Sequence, residues 1–181
     1  MIDLTRIRDS LDRIGDVVLP LFARFTFAAV LLVYFWNAGL TKLGDGVFGL
    51  FRPALGAYAQ IFPRQMEAAS YDASQLGLFH WAVVVAGTAA EFILPLLIVI
   101  GLLTRLAALG MIGFVVVQSL TDIVGHGAGT GAWFDRASDA VILDQRAFWV
   151  LGLTVLVFKG AGVLSLDRLV SARVARPVAA I

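Results

Sequence analysis

Long apolar runs, each broken by very few charges, dominate the pattern of this chain. Four of them are near the ~17–25 residues of a membrane-crossing helix: about Val17 to Trp36, Leu78 to about Leu103, Leu106 to about Val124, and Ala147 to about Leu164. Gly152 and Lys159 interrupt the fourth. The flank before the first, Asp3 to Asp16, mixes acids with Arg6, Arg8 and Arg13. Its apolar core also exceeds the ~7–15 residues of a signal sequence, so a retained helix is expected. The pattern predicts an all-α fold, a polytopic four-helix transmembrane bundle forming one membrane domain over residues 1–181.

The connections are unequal. Residues 43–77 are too many for a structureless loop, for which ~12–15 residues is the usual ceiling. Pro53 fits a first helical position, Leu55, Tyr58 and Phe62 follow at helical spacing, and Pro63 can start a second helix through Met66 and Ala69. One or two short interfacial helices are therefore expected over the outer mouth of the bundle, as a lid or as a plain cap. Residues 125–146 begin Gly-rich, from Gly125 to Gly131. They lack the Gly-Lys-Ser/Thr ending of a phosphate loop and follow no strand, so nucleotide binding is not supported.

Composition agrees with the membrane reading. Hydrophobic residues make up 60% of the chain, against ~45–50% for a soluble domain. A net charge of +1 gives no reason to expect nucleic acid. The absence of cysteine excludes disulfides, thiolate ligands and dithiol chemistry. With the termini inside, the inner segments hold eight basic residues, Arg6, Arg8, Arg13, Arg105, Lys159, Arg168, Arg173 and Arg176. The outer ones hold five, Lys42, Arg52, Arg64, Arg136 and Arg146. The positive-inside rule then places both termini in the cytoplasm.

Glu91 is the one charge within the second run. A carboxylate at that depth faces the bundle interior and finds a cation or a proton. At ~1.5 Å per residue, Arg24 lies about 10 Å, Glu91 about 18 Å and Lys159 about 7 Å from the inner ends of their spans. Arg24, Glu91 and Lys159 are therefore the expected buried polar site, although Pro95 can shift the register and Lys159 can instead snorkel to the headgroups. A second group lies at the outer ends of the helices: Asn37, Lys42, His80, Gln118, Asp122 and His126. They form an expected polar vestibule beneath residues 43–77, or each simply marks a helix end. Asp122 and His126 are spaced i, i+4, but a metal site lacks its third ligand and none is expected.

The chain resembles the DoxX family of small four-helix bacterial membrane proteins. The matching pieces are Arg24, the run from Trp36 to Lys42, Glu91 through Pro95, the turn Gly101 to Leu109, and the ending Lys159 to Asp167. The resemblance implies a bacterial inner-membrane protein of respiratory or thiol-linked redox assemblies, sometimes described as a quinone-oxidoreductase subunit. Roles of such relatives that depend on cysteine cannot transfer to this chain.

Two function classes stay open. In one, the chain is an accessory subunit of a membrane redox system, partnered by other membrane or periplasmic subunits, and a membrane quinone sits in the polar site. Glu91 then exchanges a proton, Arg24 or Lys159 stabilises an anionic oxygen, and Trp36, Trp81 or Phe92 packs on the ring. In the other, it is a non-catalytic scaffold or small-solute conduit whose buried charges fix helix packing. Whether any reaction is catalysed is not decided by the sequence.

Overall fold

A computed structural model describes residues 4–174; Asp3 and Arg176, used in the sequence argument, lie outside them. Seven helices account for the architecture: α1 Leu4–Leu40, α2 Leu55–Ile61, α3 Pro63–Ala68, α4 Leu78–Ile100, α5 Thr104–Gly125, α6 Val141–Lys159 and α7 Leu166–Val174. The four long ones, α1, α4, α5 and α6, are apolar and long enough to cross a membrane. They form an antiparallel bundle. Residues 41–77 and 126–140 lie at one end, the loop end; the α4–α5 turn and α7 lie at the other, the terminal end.

Two bundle helices depart from the expected spans for physical reasons. Helix α1 reaches Leu40 and, toward the N-terminus, runs far past Arg24 as an amphipathic stretch. Leu4, Ile7, Leu11 and Ile14 line one side of it and all are exposed. Helix α6 begins at Val141 and stops at Lys159, earlier at both ends than the run Ala147 to Leu164. Gly160 and Gly162 take positive φ and end it. At its start, the charge that interrupts the apolar run, Arg146, is neutralised inside the bundle. Single π turns occur at Ala28–Leu32, Thr121–Gly125 and Val141–Gln145; each adds a residue to a helical turn and so re-aims the side chains beside it.

The core lies along the bundle axis. Phe27, Leu31 and Phe35 from α1 meet Ile98 from α4, Ala107, Ala108, Met111 and Val115 from α5, and Leu153 and Leu156 from α6. Phe35 is fully buried, with Phe114 and Trp149 edge-on at 5.9 and 6.1 Å. The small residues of α5 let it approach its neighbours closely, as membrane helix contacts require. At Gly39 of α1, a Cβ would fall 2.7 Å from the Phe92 ring, so glycine sets the α1–α4 spacing there. Outward-facing Phe25, Val33, Leu106, Leu120, Phe148 and Phe158 are exposed, as lipid-facing side chains are.

The first long loop folds over the loop end. Ala54, not Pro53, immediately precedes α2, because Pro53 and Ala54 are spent extending the chain back toward α1, where Ala54 N–H donates to the Lys42 carbonyl. Pro63 does open α3. The second loop rests on the first: the His126 ring nitrogen Nε2 is 2.9 Å from the Gln60 carbonyl, and Gly125 packs on Pro63.

Candidate functional site

Glu91 is buried on α4, and its partner is Lys42. The Lys42 ammonium donates to Glu91 Oε1 at 2.9 Å, to Oε2 at 3.0 Å and to the Ala38 carbonyl at 3.1 Å. Both side chains are more than nine-tenths buried. An ammonium has three protons, so Lys42 is fully used. The expected pairing of Glu91 with Arg24 or Lys159 is corrected here. Glu91 lies about 20 Å below the start of α4 at ~1.5 Å rise, and that is the level at which α1 ends. The two helices are not flush at the loop end. The first twelve residues or so of α4 stand above α1 and carry the loop: Trp81 donates to the Phe51 carbonyl, and Phe62 packs edge-on to His80 at 4.8 Å.

Arg24 works at the terminal end, on backbone. Its guanidinium donates to the carbonyls of Ile98 and Val99, at the C-terminus of α4, and to those of Ala161 and Leu164, beyond α6. The last carbonyls of a helix lack intrahelical donors and carry its negative dipole end, so a fork of N–H groups suits them. Asp167 does the reverse for α5. Its carboxylate accepts from Leu103 N–H at 2.7 Å and Thr104 N–H at 3.0 Å. Between them lies a turn with Gly101 at φ +70° and Leu103 at φ +49°; Gly101 N–H donates to Ile98 O and Leu102 N–H to Leu97 O, the Schellman pattern. Burial works to raise the Asp167 carboxyl, but hydrogen bonds from Thr104 and Leu103, with the Arg24 charge, hold it below its ordinary value.

Lys159 is elsewhere again. It is half-exposed and bonds Asp16 of α1 at 2.6 Å. The triad Arg24, Glu91, Lys159 is thus three separate interactions, because Arg24 is level with the end of α4 and Lys159 with the stretch of α1 beyond it.

The loop-end residues also disperse, and among the described residues none of the six bonds another. Asn37 is exposed. Lys42 belongs to Glu91, His80 packs on Phe62, Gln118 donates to the Tyr34 hydroxyl at 3.1 Å, and His126 meets Gln60. Asp122 pairs with Arg146, which is 5% exposed, also donates to the Ser119 hydroxyl and sits over the Trp149 ring. The expected single vestibule is replaced by these distinct contacts. An apolar run that opens at Ala147 leaves Arg146 just outside the fourth span, so the sequence pattern does not mark it as a site residue. Its signal is Asp122 in the preceding span, an acid at matching depth.

One concavity in the bundle has the dimensions of a ligand seat. A groove of about 600 Å³ opens between α1 and α6, walled by apolar residues such as Phe27, Leu31 and Phe148. Its polar members are Thr26 and Gln145. Trp149 lines it too. Trp36, Trp81 and Trp133 donate their indole N–H to carbonyls, whereas that of Trp149 has no partner among the described residues. A Cβ on Gly152 would meet nothing within 4 Å, so this glycine leaves the groove open.

Four apolar spans with internally paired charges define a polytopic helical membrane protein. The chain belongs to the DoxX family, whose model matches residues 19–124, the stretch from α1 to the end of α5. No curated protein and no solved structure matches it.

Proposed function

We propose that this protein is a non-catalytic accessory subunit of a redox assembly in the bacterial inner membrane, and that it holds a membrane quinone in the groove between α1 and α6. The observation that carries this reading is the groove itself. It is an apolar channel on the bilayer side with polar groups confined to a few positions. An isoprenoid tail fits the apolar wall, and a quinone carbonyl can accept from the unpaired Trp149 N–H while the ring stacks among aromatic side chains. No Asp, Glu, Lys, Arg or His lines the groove, so the chain itself would move no proton there. Seating the quinone and passing it to a partner subunit is the chemistry this lining supports, and it needs neither cysteine nor metal.

The buried charges support a structural role in the same reading. Lys42 and Arg24 have committed their donors to fixed acceptors, which leaves them as staples between helices. This is the ground for a second reading, a scaffold that holds no quinone. Cytoplasmic termini are supported by the charge distribution. The exposed basic residues of the loop end are Arg52, Arg64 and Arg136, against Arg6, Arg8, Arg13, Arg105, Lys159, Arg168 and Arg173 at the terminal end.

The test is extraction of the protein in mild detergent from a quinone-containing membrane, with mass spectrometry of bound lipids. Quinone is expected with the native chain and is expected to be lost in Gly152→Phe, which fills the groove without a backbone clash. A well-folded native chain without quinone leaves the scaffold reading.

A further inference from the structure

A second concavity, also of about 600 Å³, lies at the terminal end between the start of α5, the segment after α6, and α7. Its lining carries Arg105, Lys159 and Arg168 with Ser165 and Ser171, whose hydroxyls donate to the Gly162 and Asp167 carbonyls. Its one carboxylate, Asp167, is occupied by the Leu103 and Thr104 N–H groups. Lys159 is shared with Asp16. The guanidinium groups of Arg105 and Arg168 have no hydrogen-bond or ion-pair partner among the described residues, the Arg168 backbone N–H alone donating to the Ser165 hydroxyl. The basic groups inside the bundle, Arg24, Lys42 and Arg146, are matched with acceptors, whereas two exposed guanidiniums, those of Arg105 and Arg168, converge open on one pocket.

Depth says what meets them. Thr104 begins one membrane span and Lys159 ends another, so the pocket sits at the level of lipid headgroups. Leu103, Leu106 and Leu164 around it are 55%, 66% and 73% exposed, an apolar skirt for acyl chains. Guanidinium groups recognise phosphate through paired N–H donors, and basic pockets at the ends of membrane helices take anionic headgroups. Gly160, at φ +77°, backs the Arg105 side chain, with a Cβ there reaching 3.4 Å from its Nε.

We propose that this pocket is a binding site for the phosphate of an anionic phospholipid, such as phosphatidylglycerol or cardiolipin. Arg105 and Arg168 grip the phosphodiester, and the acyl chains lie along Leu103 and Leu106. The uncompensated positive charge discriminates against zwitterionic lipids, whose phosphate brings its own cation. The site is independent of the α1–α6 groove and of any quinone.

Native mass spectrometry of the full chain in detergent tests this, with phosphatidylglycerol, cardiolipin, phosphatidylcholine or inorganic phosphate added in turn. Each basic side chain near anionic lipid contributes roughly fivefold in affinity, so the two together predict about a 25-fold preference for the anionic lipids over phosphatidylcholine. The double variant Arg105→Gln, Arg168→Gln is expected to lose that preference, and so is Ser171→Glu, which adds a negative charge to the pocket. Arg52→Gln with Arg64→Gln at the loop end is expected to keep it. Equal binding of phosphatidylcholine, or an undiminished preference in both pocket variants, overturns the proposal. Displacement of phosphatidylglycerol by equimolar inorganic phosphate overturns the lipid assignment and makes the site one for a soluble anion.

Discussion

The Lys42 ammonium lies 2.9 and 3.0 Å from the two carboxylate oxygens of Glu91, joining the turn just beyond α1 to the middle of α4. Leaving one member of a buried pair without the other costs about 3–5 kcal/mol. Glu91→Ala and Lys42→Ala are each expected to lower the thermal unfolding midpoint sharply in detergent. Glu67→Gln, at an exposed position of α3, is expected to leave it unchanged.

Arg24 predicts a different specificity. It reaches carbonyls on two separate segments, the last turn of α4 and the stretch after α6, and only a planar fork with five N–H donors spans them. Arg24→Lys keeps the charge but is expected to lose most of these contacts, each worth about 1.5–3 kcal/mol for a charged donor. Limited proteolysis within residues 160–165 is the readout, with faster cleavage expected in the variant.

Asp167 sets an acid limit. Its carboxyl is held below the ordinary value despite partial burial. Its contribution is therefore complete above the unfolded carboxyl value of about 4 and is lost as pH falls through the lower, folded one. Thermal unfolding followed down the acid range is expected to show this loss in the native chain. Asp167→Asn should be less stable at neutral pH, with a shallower acid dependence.

Gly39 and Gly113 are expected to respond oppositely to alanine. A Cβ at Gly39 falls 2.7 Å from Phe92, whereas one at Gly113 meets nothing within 4 Å. Overpacking costs about 1–3 kcal/mol, more than the roughly 1 kcal/mol alanine gains over glycine in a helix. Gly39→Ala should destabilise the bundle and Gly113→Ala should be neutral or stabilising, as read by thermal unfolding.

The four-helix bundle was legible in the sequence because length and hydropathy alone specify a membrane span. So was the fact that Glu91 needs a partner. The identity of that partner was not legible, since depth arithmetic took the helix ends as flush and α1 stops about 20 Å short of the top of α4 by rise per residue. Arg24 escaped for another reason. Its acceptors are backbone carbonyls, which no pattern of side chains reveals. Arg146 was hidden by a boundary: once α6 begins at Val141, the residue lies within a span and Asp122 is its natural counter-ion. The groove depends on which faces α1 and α6 turn toward each other, and a single sequence does not fix that.

The most direct measurement of the account combines the ion pair with the groove. A double variant, Lys42→Met with Glu91→Leu, replaces both charges by apolar groups of similar size, an exchange that buried pairs often tolerate. Bound quinone is then quantified by mass spectrometry beside thermal unfolding. If the pair is a staple and the groove is the seat, the double variant regains most of the stability lost in either single variant and retains quinone, while Gly152→Phe folds and loses it. A folded double variant that has lost quinone, with Gly152→Phe retaining it, would contradict the account and return the ligand to Glu91.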